Sequence, residues 1–168
     1  MNSKQWLVLS ALVGVWTAFR FDAQLPDRVA MQFDAVGRPI SWGSATALHW
    51  TLIGVYLGLA ALFLALPYLM RITPGRWTNL PHRDYWLAPE RKQATVDRMG
   101  GYLNVMGVML NGFFMGLHRL MVKAQHSEPV RLPGREFALL MVVFFILVGA
   151  WTAHWLWRFR LPEGENGV

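Results

Sequence analysis

Three groups of residues have the types and spacing to do chemistry. Asp22, Asp27 and Asp34 lie in one short stretch, and carboxylates that close together are candidate cation ligands. Their spacing lacks the fixed rhythm of a calcium loop. Asp34, followed by Ala35-Val36-Gly37, has a simpler use in bonding the backbone of its own turn. The second group is Gly100, Asn104, Gly107, Asn111 and His118, which share one narrow face at helical period. Polar side chains inside a bilayer usually face other protein. Asn104 and Asn111 therefore either bond neighbouring helices or line a path for a ligand or ion. His118, beside Arg119 near the end of its apolar run, is expected at the membrane interface. The third group is Met99, Met106, Met109, Met115 and Met121. Soft thioethers suit copper, but flexible packing is the commoner use of methionine.

No enzyme motif accompanies these groups. The chain has no G-x-S-x-G, no H-E-x-x-H and no glycine-rich phosphate loop with its lysine, so it reads as non-enzymatic and without a cofactor. It has no cysteine, which excludes disulfides and thiolate metal sites. Of its 168 residues, 54% are hydrophobic, and the net charge is +6. In a soluble protein that charge would suggest nucleic acid. Here no basic helix or RNA-binding aromatic motif goes with it, and cytoplasmic loops touching anionic lipid explain it better.

The elements that must hold these residues are apolar segments near the ~20 residues a helix needs to cross a ~30 Å hydrocarbon layer. Four are expected, at about 5–21, 47–70, 100–121 and 137–159. The first could be a signal peptide, but no small-x-small cleavage pattern follows, and an uncleaved anchor is expected. Gly54 and Gly58 give the second a small-xxx-small face for close helix approach. His49 and Trp50 at its start, and His154 with Trp151, Trp155 and Trp157 in the fourth, are expected at the interfaces. The fold class is thus an all-α integral membrane protein, one domain, built as a four-helix bundle.

Two stretches between the spans are distinctive. In the outer loop 22–46, Val29, Met31 and Phe33 alternate with Ala30 and Gln32, the period of a short strand. Gly37 supplies a turn, and Pro39 and Trp42-Gly43 follow. An ordered hairpin is expected, with Val29, Met31, Phe33, Ile40 and Trp42 packing on one another and on the helix ends. The middle loop 71–99 is the most basic, with Arg71, Arg76, Arg83, Arg91, Lys92 and Arg98 interleaved with Trp77, Tyr85 and Trp86. Pro89 and Glu90 there suit the first turn of a helix.

The pattern Leu25-Pro26, Phe33-Asp34, Gly37, Trp42-Gly43, together with Tyr85-Trp86-Leu87-Ala88-Pro89-Glu90-Arg91, resembles the domain of unknown function carried by SdpI-type bacterial membrane immunity and signalling proteins. Gln32 stands where that pattern usually has His, and Ser41 where it has an acid. The resemblance implies a bacterial inner-membrane protein that receives a ligand or peptide at the outer loop and bundle and signals through the basic loop. The candidate contacts are Phe33, Asp34, Gly37, Trp42 and Gly43 outside, Tyr85, Trp86, Glu90 and Arg91 inside, and, from the polar helix face above, Asn104, Asn111 and His118 in the bundle. The basic middle loop puts both termini in the cytoplasm, and the resemblance implies the same. The expected partners are the bilayer, anionic lipid at the basic loop and another protein chain, with no nucleic acid. A structural or accessory subunit of a larger membrane complex and a small transporter or channel are the rival readings.

Overall fold

A computed structural model describes residues 1–73 and 80–161. Arg76 and Trp77 of the basic loop, and the tail from 162 onward, lie outside the described residues. The first helix, α1 (Ser3–Asp22), is opened by a capping box. Asn2 Oδ1 accepts from the Gln5 amide, and the Asn2 amide donates to Gln5 Oε1, each at 2.9 Å. Two strands follow, β1 (Arg28–Phe33) and β2 (Pro39–Ser44). The last residue of β2 is also the cap of α2 (Ala45–Ile72), with Ser44 Oγ accepting from the Ala47 amide at 3.1 Å. A single turn, α3 (Arg83–Trp86), precedes α4 (Pro89–Gln125), which starts on the expected proline and Glu90. The last helix is α5 (Gly134–Arg158).

The polar turns expected before residue 100 and the span expected after it form one continuous helix. At 37 residues α4 is about 55 Å long, well beyond a ~30 Å hydrocarbon layer. It packs against α1, α2 and α5. Residue pairs give the directions. Ser3 meets Asn104 and Ser10 meets Asn111, so α1 and α4 run parallel. Pro67 lies against Gly100 and Phe63 against Gly107, so α2 is antiparallel to α4. Gly116 touches Leu140 and Lys123 pairs with Glu136, so α5 is antiparallel to α4 as well.

Glycines set the close approaches, though different ones from those expected. A Cβ on Gly54 or Gly58 would meet nothing within 4 Å, because both face outward. A Cβ on Gly14 would fall 2.6 Å from the Tyr56 ring, and one on Gly107 would fall 2.7 Å from Leu7. A small-xxx-small pattern marks a face that can approach; the pattern of buried neighbours decides which face turns inward. In α2 that face carries Leu52, Ile53, Tyr56, Ala60 and Phe63.

The hairpin forms where the period-two pattern places it. Arg28 pairs with Ser44, Ala30 with Trp42 and Phe33 with Pro39. Gly37 takes φ 81° at the turn, and Asp34 Oδ1 accepts from the Val36 and Arg38 amides at 3.0 and 2.7 Å. The hairpin is stitched to the bundle. The Gln125 side chain brackets Ala30, accepting from its amide at 2.9 Å and donating to its carbonyl at 3.1 Å. The Leu132 amide donates to Gly37 O at 2.9 Å, and Arg131 Nε donates to Val36 O at 3.0 Å. Val29 is fully buried against Ala18, Tyr56 and Met121, with Met31 and Phe33 packed around them. Ile40 and Trp42 depart from expectation. They lie on the outward face of β2 and stay exposed, Trp42 beneath the Arg28 guanidinium.

Three helices, α2, α4 and α5, are long and apolar enough to cross a membrane. In α1, Lys4, Gln5, Ser10, Thr17, Arg20 and Asp22 dilute the apolar run. Its outward face is nevertheless apolar, with Trp6, Leu12, Trp16 and Phe19 exposed. No residue of α5 is buried, so its apolar surface beyond the α4 contact also faces outward.

Candidate functional site

The last turn of α1, the first turns of α2 and the C-terminal part of α4 converge beneath the hairpin, and each contributes one polar side chain. Asp22 Oδ1 accepts from His118 Nε2 at 2.8 Å, and Asp22 Oδ2 accepts from His49 Nδ1 at 2.7 Å. His118 is completely buried, and the Asp22 and His49 side chains are 7% and 15% exposed. A carboxylate at a helix C-terminus faces the negative end of the helix dipole, and burial adds a desolvation cost. Two imidazole N–H donors offset both.

Those two bonds fix the tautomers. A carboxylate only accepts, so the proton of neutral His118 is on Nε2 and that of neutral His49 on Nδ1. In the neutral form of each ring the second nitrogen is an acceptor. For His118 it is Nδ1, which faces the Tyr56 hydroxyl at a long 3.5 Å. For His49 it is Nε2, which has no hydrogen-bond partner among the described residues. His49 is held by edge contacts with Phe19 and Trp50, at ring-centre distances of 4.7 and 5.4 Å. With Phe19, Asp22, Ala23, Ala45 and Thr46 it lines an open cleft of about 300 Å³. The cleft thus joins apolar walls to the anchored His49 ring and the Asp22 carboxylate. It suits a ligand with a hydrogen-bond donor or positive charge on an apolar body.

Below this cluster, α1 and α4 carry matching polar rungs. Asn111 Nδ2 donates to Ser10 Oγ at 3.0 Å, and Asn104 Nδ2 donates to Ser3 Oγ at 3.1 Å. The positions recur every seven residues on both helices, so the rungs are roughly 10.5 Å apart. Leu7 packed on Gly107 fills the space between them. The rungs act as ties between two helices, and the amide oxygens of both asparagines are buried without a hydrogen-bond partner among the described residues.

The other sequence-derived candidates fall into two groups that do not meet this cluster. Phe33, Asp34, Gly37, Trp42 and Gly43 belong to the hairpin, where Asp34 and Gly37 build the turn and Gly43 lies under Met31. Tyr85, Trp86, Glu90 and Arg91 lie at the opposite end. Trp86 Nε1 donates to Phe159 O at 2.9 Å, Trp86 O accepts from Thr95 Oγ1 at 2.7 Å, and the Arg91 guanidinium sits 4.0 Å from the centre of the Tyr85 ring. This motif clasps the end of α5 to the start of α4, while Glu90 stays exposed in the first turn of α4. Asp27 and Asp34 do not join Asp22, and no group of side chains suited to a metal ion occurs among the described residues. The methionines are dispersed, Met99, Met106 and Met121 belonging to three different packing clusters.

His118, expected beside the lipid headgroups, is buried among protein side chains. Its bond to Asp22, the bond of His49 to the same carboxylate and the approach of Tyr56 are contacts that the sequence pattern does not specify. One signal was available. Ser3, Ser10 and Thr17 repeat with the same period as Asn104, Asn111 and His118, which sets Thr17 level with His118 and leaves Asp22 little more than one helical turn beyond it. No family model, curated protein or solved structure matches this chain.

Proposed function

We propose that this chain is a non-enzymatic, four-span protein of a bacterial inner membrane, akin to the SdpI-type immunity and signalling proteins. It binds a cationic, partly apolar ligand such as a peptide at its outer end. Both termini are cytoplasmic. The ligand occupies the cleft beside His49 and Asp22, under the hairpin, and its occupancy is passed along α1 and α4 to the basic segment around Tyr85–Arg91. That segment rests on anionic lipid and meets a protein partner. The observation that carries this reading is the shared carboxylate. Asp22 joins α1, α2 and α4 at one point, so anything competing for its oxygens bears on all three helices at once. The packing of Leu7 on Gly107 between the polar rungs argues against a transport path along them.

Two measurements test it. Single cysteines at Ser44 and Gln93, labelled in intact cells with an impermeant thiol reagent, should react at Ser44 alone; the reverse pattern overturns the orientation. Hydrogen exchange of the protein in nanodiscs should slow at residues 45–49 and change at residues 80–99 when a cationic amphipathic peptide is added. Asp22→Asn should remove both responses. If exchange is unaltered in the wild type at saturating peptide, the reading is wrong.

A further inference from the structure

A second site lies on the far side of α4. Gly116 lets Leu140 approach closely, a Cβ there falling 2.7 Å from Leu140 Cδ1. Beyond that contact α4 and α5 leave an open groove of about 470 Å³. Its outer rim carries Arg119 and Lys123, one turn apart on α4. Lys123 is paired with Glu136 at 2.5 Å, whereas Arg119 is exposed and has no partner among the described residues. The rim thus holds two cations against one carboxylate. Inward from the rim the wall is aliphatic. Leu139 and Val143 lie one turn apart along α5, both exposed.

The groove is therefore charged at one end and apolar at the other, in the same sense as a lipid in the outer leaflet. We infer that it is a binding site for an anionic phospholipid. The phosphodiester is held by Arg119 and Lys123, and an acyl chain lies along Leu139 and Val143. A guanidinium in a planar fork suits phosphate oxygens, and exposed Arg119 presents one at the mouth of the groove. The aliphatic wall favours a lipid over free phosphate, which would leave that surface uncovered. This inference rests on α4 and α5 crossing the bilayer. It does not depend on the ligand proposed at Asp22.

Native mass spectrometry of the detergent-solubilised protein, titrated with phosphatidylglycerol or with phosphatidylcholine of the same chains, tests the site. Wild type should bind phosphatidylglycerol about tenfold more tightly, and Arg119→Gln should abolish most of that preference. Arg119→Lys should keep part of it, which separates loss of charge from misfolding. Arg119→Gln should leave the peptide-induced exchange change at residues 45–49 intact, so this inference and the ligand reading fail separately. A photoactivatable phosphatidylglycerol should crosslink to peptides containing 116–123 or 139–143. Equal binding of the two lipids, or crosslinks confined to other helices, would overturn the proposal. Thermal stabilisation by inorganic phosphate equal to that by phosphatidylglycerol would also overturn it, since the site would then read a free anion.

Discussion

Asp22 and His118, 96 residues apart in the chain, meet at 2.8 Å in the interior of the protein, the carboxylate of one helix end accepting from the buried imidazole of another. The contact welds α1 to α4 at the end where the hairpin sits. His49, on the other carboxylate oxygen, adds α2.

This shared carboxylate predicts strong non-additivity. Asp22→Ala leaves His118 buried without its acceptor, a loss of about 1–3 kcal/mol or more for a group bonded to a charge. His118→Ala leaves the carboxylate short of a donor and opens a cavity. The double variant should cost clearly less than the two single costs added, by about 1–3 kcal/mol. Denaturant unfolding in detergent, followed by tryptophan fluorescence, gives the cycle. Simple additivity would mean that the bond contributes nothing.

The rungs lower in the bundle make a test of helix register. Ser10→Ala and Asn111→Leu should be coupled by about 0.5–1.5 kcal/mol, the scale of interhelical hydrogen bonds in membranes. Ser3→Ala with Asn111→Leu should add independently, because those residues belong to different rungs. The cycle matters more than either single variant, since Asn111→Leu also removes a buried amide oxygen that has no partner among the described residues. Coupling in the mismatched pair equal to that in the matched pair would reject the parallel register of α1 and α4.

Two glycines separate true close approach from its sequence signature. Gly14→Ala drives a methyl into the Tyr56 ring, with three ring atoms inside 3.0 Å. The ring must move, and overpacking of this kind costs about 1–3 kcal/mol. Gly54→Ala meets open space and sits mid-helix, so it should be neutral or slightly stabilising. Melting temperatures in one detergent compare them directly. Equal effects would contradict the packing of α2 on α1.

Those contrasts also show what could be read in advance. The hairpin was legible because its signals are local: alternation from Val29 to Phe33, an Asx-type turn at Asp34, and a glycine where φ must be positive. The face shared by Asn104, Asn111 and His118 was legible for the same reason, and all three are buried. The partners of that face were not. Whether His118 meets lipid headgroups or Asp22 depends on how far α1 slides along α4, and contacts such as Leu7 on Gly107 fix that sliding. The same holds for Tyr85-Trp86, whose bonds reach Thr95 on α4 and Phe159 beyond α5. Of the four expected spans, the three most apolar have helices long enough to cross a membrane.

The hairpin should behave as part of the folded bundle. Val29 and Ala30 are fully buried, and burial of a side chain the size of valine is worth about 1.5–3 kcal/mol. The Gln125 bracket adds hydrogen bonds that leave Ala30 satisfied in the interior. Gln125→Ala would strand both backbone groups of Ala30, so amide exchange from Val29 to Phe33 should accelerate by about tenfold or more, while the helices keep their protection. Gly37→Val should act from the other end. Its φ of 81° disfavours any β-branched residue, and a Cβ there would lie 2.7 Å from Leu132 O. That clash also disturbs the Leu132 amide bond to Gly37 O, so exchange should rise at Leu132 together with the turn. Ile40→Ser, on the exposed face of β2, should leave exchange across β1 unchanged. If β1 exchanges at the unprotected rate in the wild-type protein, the hairpin is a tether and not part of the folded bundle.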